Sequence, residues 1–167
     1  TMTVSGEKGA LVLGETGTFN SQSDFILNSN GTKVSGVFDF TSNNTLDVQQ
    51  SVTFTGQSSI SEWKNGIIQI ANGVTLGFED NIFKTEGTLT KTGGAMSWDN
   101  VVWSLSGDTS FSSDTAISTK TLALNNHLLT LASEDSDLTV TDNLTFDDSS
   151  EQIKTGLADL TLQGGFI

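Results

Sequence analysis

The chain has 167 residues, enough for one domain with a sizeable core, and length alone argues for one domain rather than two. Its net charge of −13, with every cation a lysine, repels nucleic-acid phosphates and anionic lipid surfaces and so argues against nucleic acid as a partner. The absence of cysteine excludes a disulfide framework and a thiolate metal site. No apolar run approaches the ~20 residues that span a bilayer, so no membrane insertion by this chain is expected.

Hydrophobic residues make up only 35% of the chain, yet they are β-prone, and ten Phe and three Trp supply enough apolar area to offset chain ordering. Residues Thr1 to Ala10 lack the basic start and apolar centre of a secretory signal. From there a degenerate unit recurs: an apolar-x-apolar triplet, a short polar or Gly/Asn turn, and a second alternating pair. A loose copy starts at Leu27. Leu46-Asp-Val48 with Val52-Thr-Phe54 follows, then Ile68-Gln-Ile70 with Val74-Thr-Leu76. Loose copies start at Leu89 and Leu105, and the clearest are Leu122 to Leu131 and Leu138 to Phe146, with a last one at Leu160. Taken as rung markers, these leading residues step by about 16 to 22 residues, the interval of a coil holding a few short strands per turn. Period-2 alternation then stacks Leu, Ile, Val and Phe inside and turns Thr, Ser, Asp and Lys to water.

Phe is repeatedly followed three residues later by a polar turn-former, as at Phe19/Gln22, Phe40/Asn43, Phe54/Gln57, Phe78/Asn81, Phe111/Asp114 and Phe146/Ser149. An aromatic that closes a strand before an Asn, Asp or Gly corner suits a coil, with stacked Phe and stacked Asn forming columns. Helix is scarce: Ser58 to Trp63 and Asp147 to Lys154 offer at most one turn each. The expected fold is all-β, a single-stranded right-handed parallel β-helix (solenoid) of about 7–8 irregular rungs over residues 1–167. The alternative is a β-sandwich or jelly roll, which also has short strands and frequent turns. The apolar end, Thr161-Leu-Gln-Gly-Gly-Phe-Ile167, lacks a polar cap and is read as part of a segment excised from a longer repeat protein, with oligomeric state left open.

These rungs, Leu122 to Leu131 above all, resemble the parallel β-helix passenger domains of bacterial autotransporter adhesins. Gly93-Gly-Ala-Met96, Phe40-Thr-Ser-Asn43 and Phe78-Glu-Asp-Asn81 are also similar to the repeat motifs of chlamydial polymorphic outer-membrane proteins. The resemblance implies an extracellular or cell-surface adhesin module without catalytic residues, displaying side chains and loops to a protein or glycan receptor.

The candidate chemistry is sparse. His127, the only histidine, sits in an Asn-Asn-His turn and reads as turn decoration. Asp135 with Asp137, Asp142, and Asp147 with Asp148 are the carboxylates a glycan-cleaving β-helix would use; the acidic stretch Glu134 to Asp148 keeps Ca²⁺ open as the one cofactor. Thr53/Thr55, Thr88/Thr90, Thr90/Thr92, Thr119/Thr121 and Thr139/Thr141 are the pairs an ice-binding face would need. Trp63, Trp98 and Trp103 are the residues best able to contact a partner or a sugar ring, with burial in the core as the competing reading. The expected function is a non-catalytic adhesive module; glycan binding or cleavage and ice binding are the alternatives.

Overall fold

The structure, a computed structural model, describes residues 2–4, 10–11, 19–21, 25–27, 33–35, 38–41, 43–149 and 151–167, with side chains described from Phe38 onward except at 57–59. Gln22 and the side chains of Leu27 and Gln57 therefore lie outside the described residues. Strands wind through three parallel sheets in turn. Sheet I pairs β1 (Met2–Val4) with β3 (Phe19–Ser21), β3 with β6 (Phe38–Phe40), and β6 with β8 (Val52–Asp99). Further along, β8 pairs with β9 (Val102–Ser113), and the ladder continues through β10 (Ile117–Ala123) and β12 (Leu138–Thr145) to β15 (Gly165–Phe166).

Sheet II pairs β2 (Ala10–Leu11), β4 (Phe25–Leu27), β7 (Thr45–Val48) and β8, then β8 with β9, β11 (Leu128–Leu131) and β13 (Gln152–Lys154). Sheet III pairs β5 (Lys33–Ser35) with β8, β10 with β12, and β12 with β14 (Leu160–Leu162). Because β8 is one extended run of 48 residues, it passes through all three sheets more than once. Its extended path includes residues 58–63, where the sequence offers a helical turn.

Every strand pairing among the described residues is parallel, which makes the molecule a β-solenoid and excludes the antiparallel sandwich. Parallel neighbours need a crossover, and here the crossover is the other two sides of the coil. Over the stretch whose side chains are described, the coil makes about six turns, a small difference from the seven or eight rungs expected for the whole chain. Turn length varies: Ala10 pairs with Ile26, sixteen residues on, and Leu128 with Gln152, twenty-four on.

Alternation decides what lies inside. β9 alternates between half-buried and buried positions, and its inward residues Trp103, Leu105 and Phe111 are at most 2% exposed. Partners in register are alike, so columns form along the axis: Phe83, Trp103, Leu122 and Leu144 in sheet I, Leu89, Phe111 and Leu131 in sheet II, and Ile117, Leu138 and Leu160 in sheet III. Each interior Leu or Phe of such a column contributes roughly 1.5–3 kcal/mol of burial.

The sequence markers do not fall on one column. Leu46 and Ile68 pair in sheet II, Leu122 lies in sheet I, and Leu138 and Leu160 pair in sheet III. The shorter steps of 16 and 17 residues fall short of the full turn, which at Leu89 to Phe111 and Leu122 to Leu144 is 22 residues. The motif therefore slips between sheets because all three sheets use the same apolar-x-apolar triplet. The expected single Phe column is likewise replaced by a cluster: Phe38 stands 5.3 Å from Phe54 and 5.2 Å from Phe78, and Phe78 4.5 Å from Phe83. The cluster runs on through Trp98, Trp103 and Phe111, at 5.0, 5.0 and 5.5 Å in succession from Phe83.

Candidate functional site

The polar chemistry of the molecule is concentrated at its three corners, where backbone curvature needs residues that tolerate positive φ. Between sheets I and II these are Asn65, Gly66, Gly87, Asn125 and Asn126; between sheets III and I they are Asp80 and Asn100; between sheets II and III they include Gly73, Gly93 and Gly156. The residue types are those expected at corners, because Asn, Asp and Gly adopt left-handed angles at least cost, but the positions differ: Asn81 and Asp114, three residues after Phe78 and Phe111, are not among them.

Corner side chains bind the turn above or below. Asn65 Oδ1 accepts from Thr88 N at 2.9 Å, Asn125 Nδ2 donates to Ser104 Oγ and Leu105 O at 2.8 Å, and Asp108 Oδ1 accepts from Leu128 N at 3.0 Å. Glu151, buried, accepts from Asn126 N and, at 2.6 Å, from Asp147 N. Asn81, 1% exposed, accepts from Ser61 Oγ and donates to Phe54 O and Glu79 O. Each such bond closes a polar group that a dry corner would otherwise leave unpaired.

Lys91 is the most unusual of these. Its side chain is fully buried, and Nζ donates to Asp114 Oδ1 at 2.7 Å, Gly93 O at 2.9 Å and Thr115 Oγ1 at 2.9 Å, using all three ammonium protons. Asp114 Oδ2 accepts in turn from Gly93 N. Partial burial alone would raise the Asp114 pKa, but the bonds from Lys91 and Gly93 outweigh it and hold the carboxyl below the ordinary aspartate range. Sequence reasoning missed this pair; the only available signal was a lysine at an inward position of a Leu89-Thr-Lys91 alternation.

The residues singled out from sequence are not brought together. Trp63 and Trp103 are fully buried and fill the core, the competing reading of the sequence, while Trp98, 8% exposed, packs in the core and also lines a surface groove. Trp63 Nε1 donates to Asn65 O and Trp103 Nε1 to Thr85 Oγ1, whereas Trp98 Nε1 is buried with no hydrogen-bond partner. His127 lies at a corner, in the turn between β10 and β11, with Nδ1 3.8 Å from Asp108 Oδ1.

Asp135 and Asp137 lie between sheets II and III, Asp142 between sheets III and I, and Asp147 and Asp148 between sheets I and II. The coil thus distributes the expected carboxylate cluster over three separate corners. No group of three or more His, Cys, Asp or Glu is placed to hold a metal ion among the described residues. The threonine pairs are also split: Thr88 and Thr90 lie in sheet II, Thr53 and Thr55 in sheet III, and Thr119 points inward, its Oγ1 donating to Val101 O. A register shift between Thr119 and Thr121 separates that pair.

Two adjoining surface grooves share Asp99. One, of about 460 Å³, is lined by Asp99, Asn100, Ser118, Lys120, Thr141 and Asp142 among others; the second, of about 210 Å³, includes Thr53, Thr75, Glu79 and Ser97. Together they span sheet III and its corner with sheet I and carry hydroxyls, carboxylates, one lysine and the edges of Phe78 and Trp98. No protein-family model, characterised protein or solved structure matches the chain.

Proposed function

We propose that the chain is a non-catalytic structural and adhesive module of an exported bacterial surface protein, of the kind the autotransporter passenger domains resemble. It would work outside the cell by projecting a rod whose outward side chains and corners meet a protein or glycan receptor. The observation that carries this reading is the use of the polar side chains. Asn65, Asn81, Lys91, Asn125 and Glu151 all bind the backbone of adjacent segments or turns, which suits a scaffold rather than a reaction centre. The dispersal of the acidic residues over three corners supports the same view.

Glycan capture is a second reading, favoured by the two grooves that share Asp99, which are lined by hydroxyls and carboxylates. One assay covers both. Beads coated with the protein are passed over immobilised neutral polysaccharide, immobilised lysine-rich protein and a bare surface. Retention well above albumin-coated beads on either coated surface is expected. Retention no greater than albumin on both, or release of reducing ends from the polysaccharide, contradicts the adhesive reading.

A further inference from the structure

Two Asn-Gly sequences lie within the described part of the coil, Asn65-Gly66 and Asn72-Gly73, and the corners treat them in opposite ways. Asn-Gly is the dipeptide in which the following backbone nitrogen reaches the asparagine side chain most freely, because glycine offers no Cβ to obstruct the approach. Asn65 is pinned at both ends: Oδ1 accepts from Thr88 N at 2.9 Å and its carbonyl accepts from Trp63 Nε1 at 2.9 Å. Its side chain also rests on the backbone of the next turn, close enough that a Cβ at Gly87 would fall 2.0 Å from Oδ1. Asn72 is exposed, and a Cβ built on Gly73 meets nothing within 4 Å.

We infer that Asn72-Gly73 is a site of spontaneous imide formation and deamidation in the folded protein, and that Asn65-Gly66 is protected by the turn stacked upon it. The Gly73 nitrogen attacks Asn72 Cγ; a Cγ–N bond forms, the Cγ–Nδ2 bond breaks, and ammonia leaves carrying the proton from Gly73 N–H. Water then opens the five-membered imide at either carbonyl, giving aspartate or isoaspartate at position 72. No oxidant, metal or enzyme is required. The product adds one negative charge to a chain already at −13 and places it on the corner between sheets II and III. At Asn65 the same attack requires Cγ to leave the Thr88 N–H and the Gly87 backbone, and misplacement by about 1 Å is enough to slow an intramolecular step by about 100-fold.

Hydroxylamine tests this directly, because it intercepts the imide: it forms an N-hydroxyimide on residue 72 and releases Gly73 as a new N-terminus, splitting the chain between 72 and 73. The folded protein is treated and the fragments are identified by mass. Cleavage after Asn72 is expected at a rate at least about tenfold above cleavage after Asn65, the difference that a held side chain imposes on near-attack geometry. In denaturant the two bonds are expected to react alike, which verifies the reagent. Asn72→Gln is expected to abolish the 72–73 fragments without altering the far-UV spectrum. Equal native rates at both bonds, a native 72–73 bond that stays intact while the denatured one is cut, or persistence of those fragments in Asn72→Gln overturns the assignment.

Discussion

From Phe38 to Phe111 the core mixes aromatic rings with Leu, Ile and Val, whereas from Ile117 to Leu162 it holds Leu, Ile, Val and Ala and no aromatic ring. The aliphatic region needs one residue per column per turn, and Leu122 over Leu144 and Leu138 over Leu160 stack in simple register. The aromatic region cannot be so regular. Its rings reach across the coil, so that Trp63 in sheet I lies 6.1 Å from Phe111 in sheet II. Indole N–H groups then need partners: buried Thr85 supplies one to Trp103 and the Asn65 carbonyl one to Trp63, while Trp98 Nε1 has none. The same architecture thus has two interiors: one held by repeated small contacts, the other by fewer, larger ones that bring polar groups inside.

The sharpest way to break this contrast is to truncate one residue in each interior. Trp103→Ala is expected to destabilise by about 4 kcal/mol and Leu144→Ala by about 3 kcal/mol, read from urea midpoints at unchanged slope. The Trp103 loss removes edge contacts to Trp98 and Phe111 and leaves Thr85 Oγ1 without its indole donor. Equal costs would show that the two interiors are held alike.

The corners offer a smaller effect. Lys91→Met is expected to cost about 2 kcal/mol: Asp114 is half-exposed and recovers water, but Gly93 O and Thr115 lose their donor. Glu151→Gln in the aliphatic region keeps an acceptor oxygen for one of its two amide donors and is expected to cost about 1 kcal/mol. Thermal unfolding of both variants beside the parent protein checks the order.

The smallest effect is the pH dependence of the Lys91 corner. The Asp114 pKa is lowered in the folded state, so its ionised form is favoured by folding. This contribution is complete above the ordinary aspartate range and is lost as the pH falls through the lower, folded pKa. The stability gap between the parent and Asp114→Asn is therefore expected to be constant near neutrality and to close on acidification. A gap that widens in acid would mean that the carboxyl is held above its ordinary value.

The solenoid itself was legible because Leu122 to Phe146 repeats with little interference from aromatics, and alternation there assigns inside and outside at once. The register was not. Triplets of all three sheets look alike, and register shifts between Thr85 and Gly87 and between Thr119 and Thr121 change the spacing without a mark in the sequence. The fate of the tryptophans was undecided for a similar reason: the alternation of Glu62, Trp63 and Lys64 allows an inward Trp63, but an aromatic beside charges also suits a binding surface. The role of Lys91 was hidden because its partners, Asp114 and Thr115, come from the next turn, more than twenty residues along the chain.

The parallel stacking of successive turns is tested most directly by cysteine pairs, since the chain has no cysteine of its own. Ser118 pairs with Thr139 and Thr139 with Thr161 in sheet III. Adjacent strands lie about 4.8 Å apart, within disulfide reach, whereas strands two turns apart do not. Ser118→Cys with Thr139→Cys is expected to form an intramolecular disulfide on mild oxidation, while Ser118→Cys with Thr161→Cys stays reduced. A disulfide in the second pair and none in the first would contradict the solenoid.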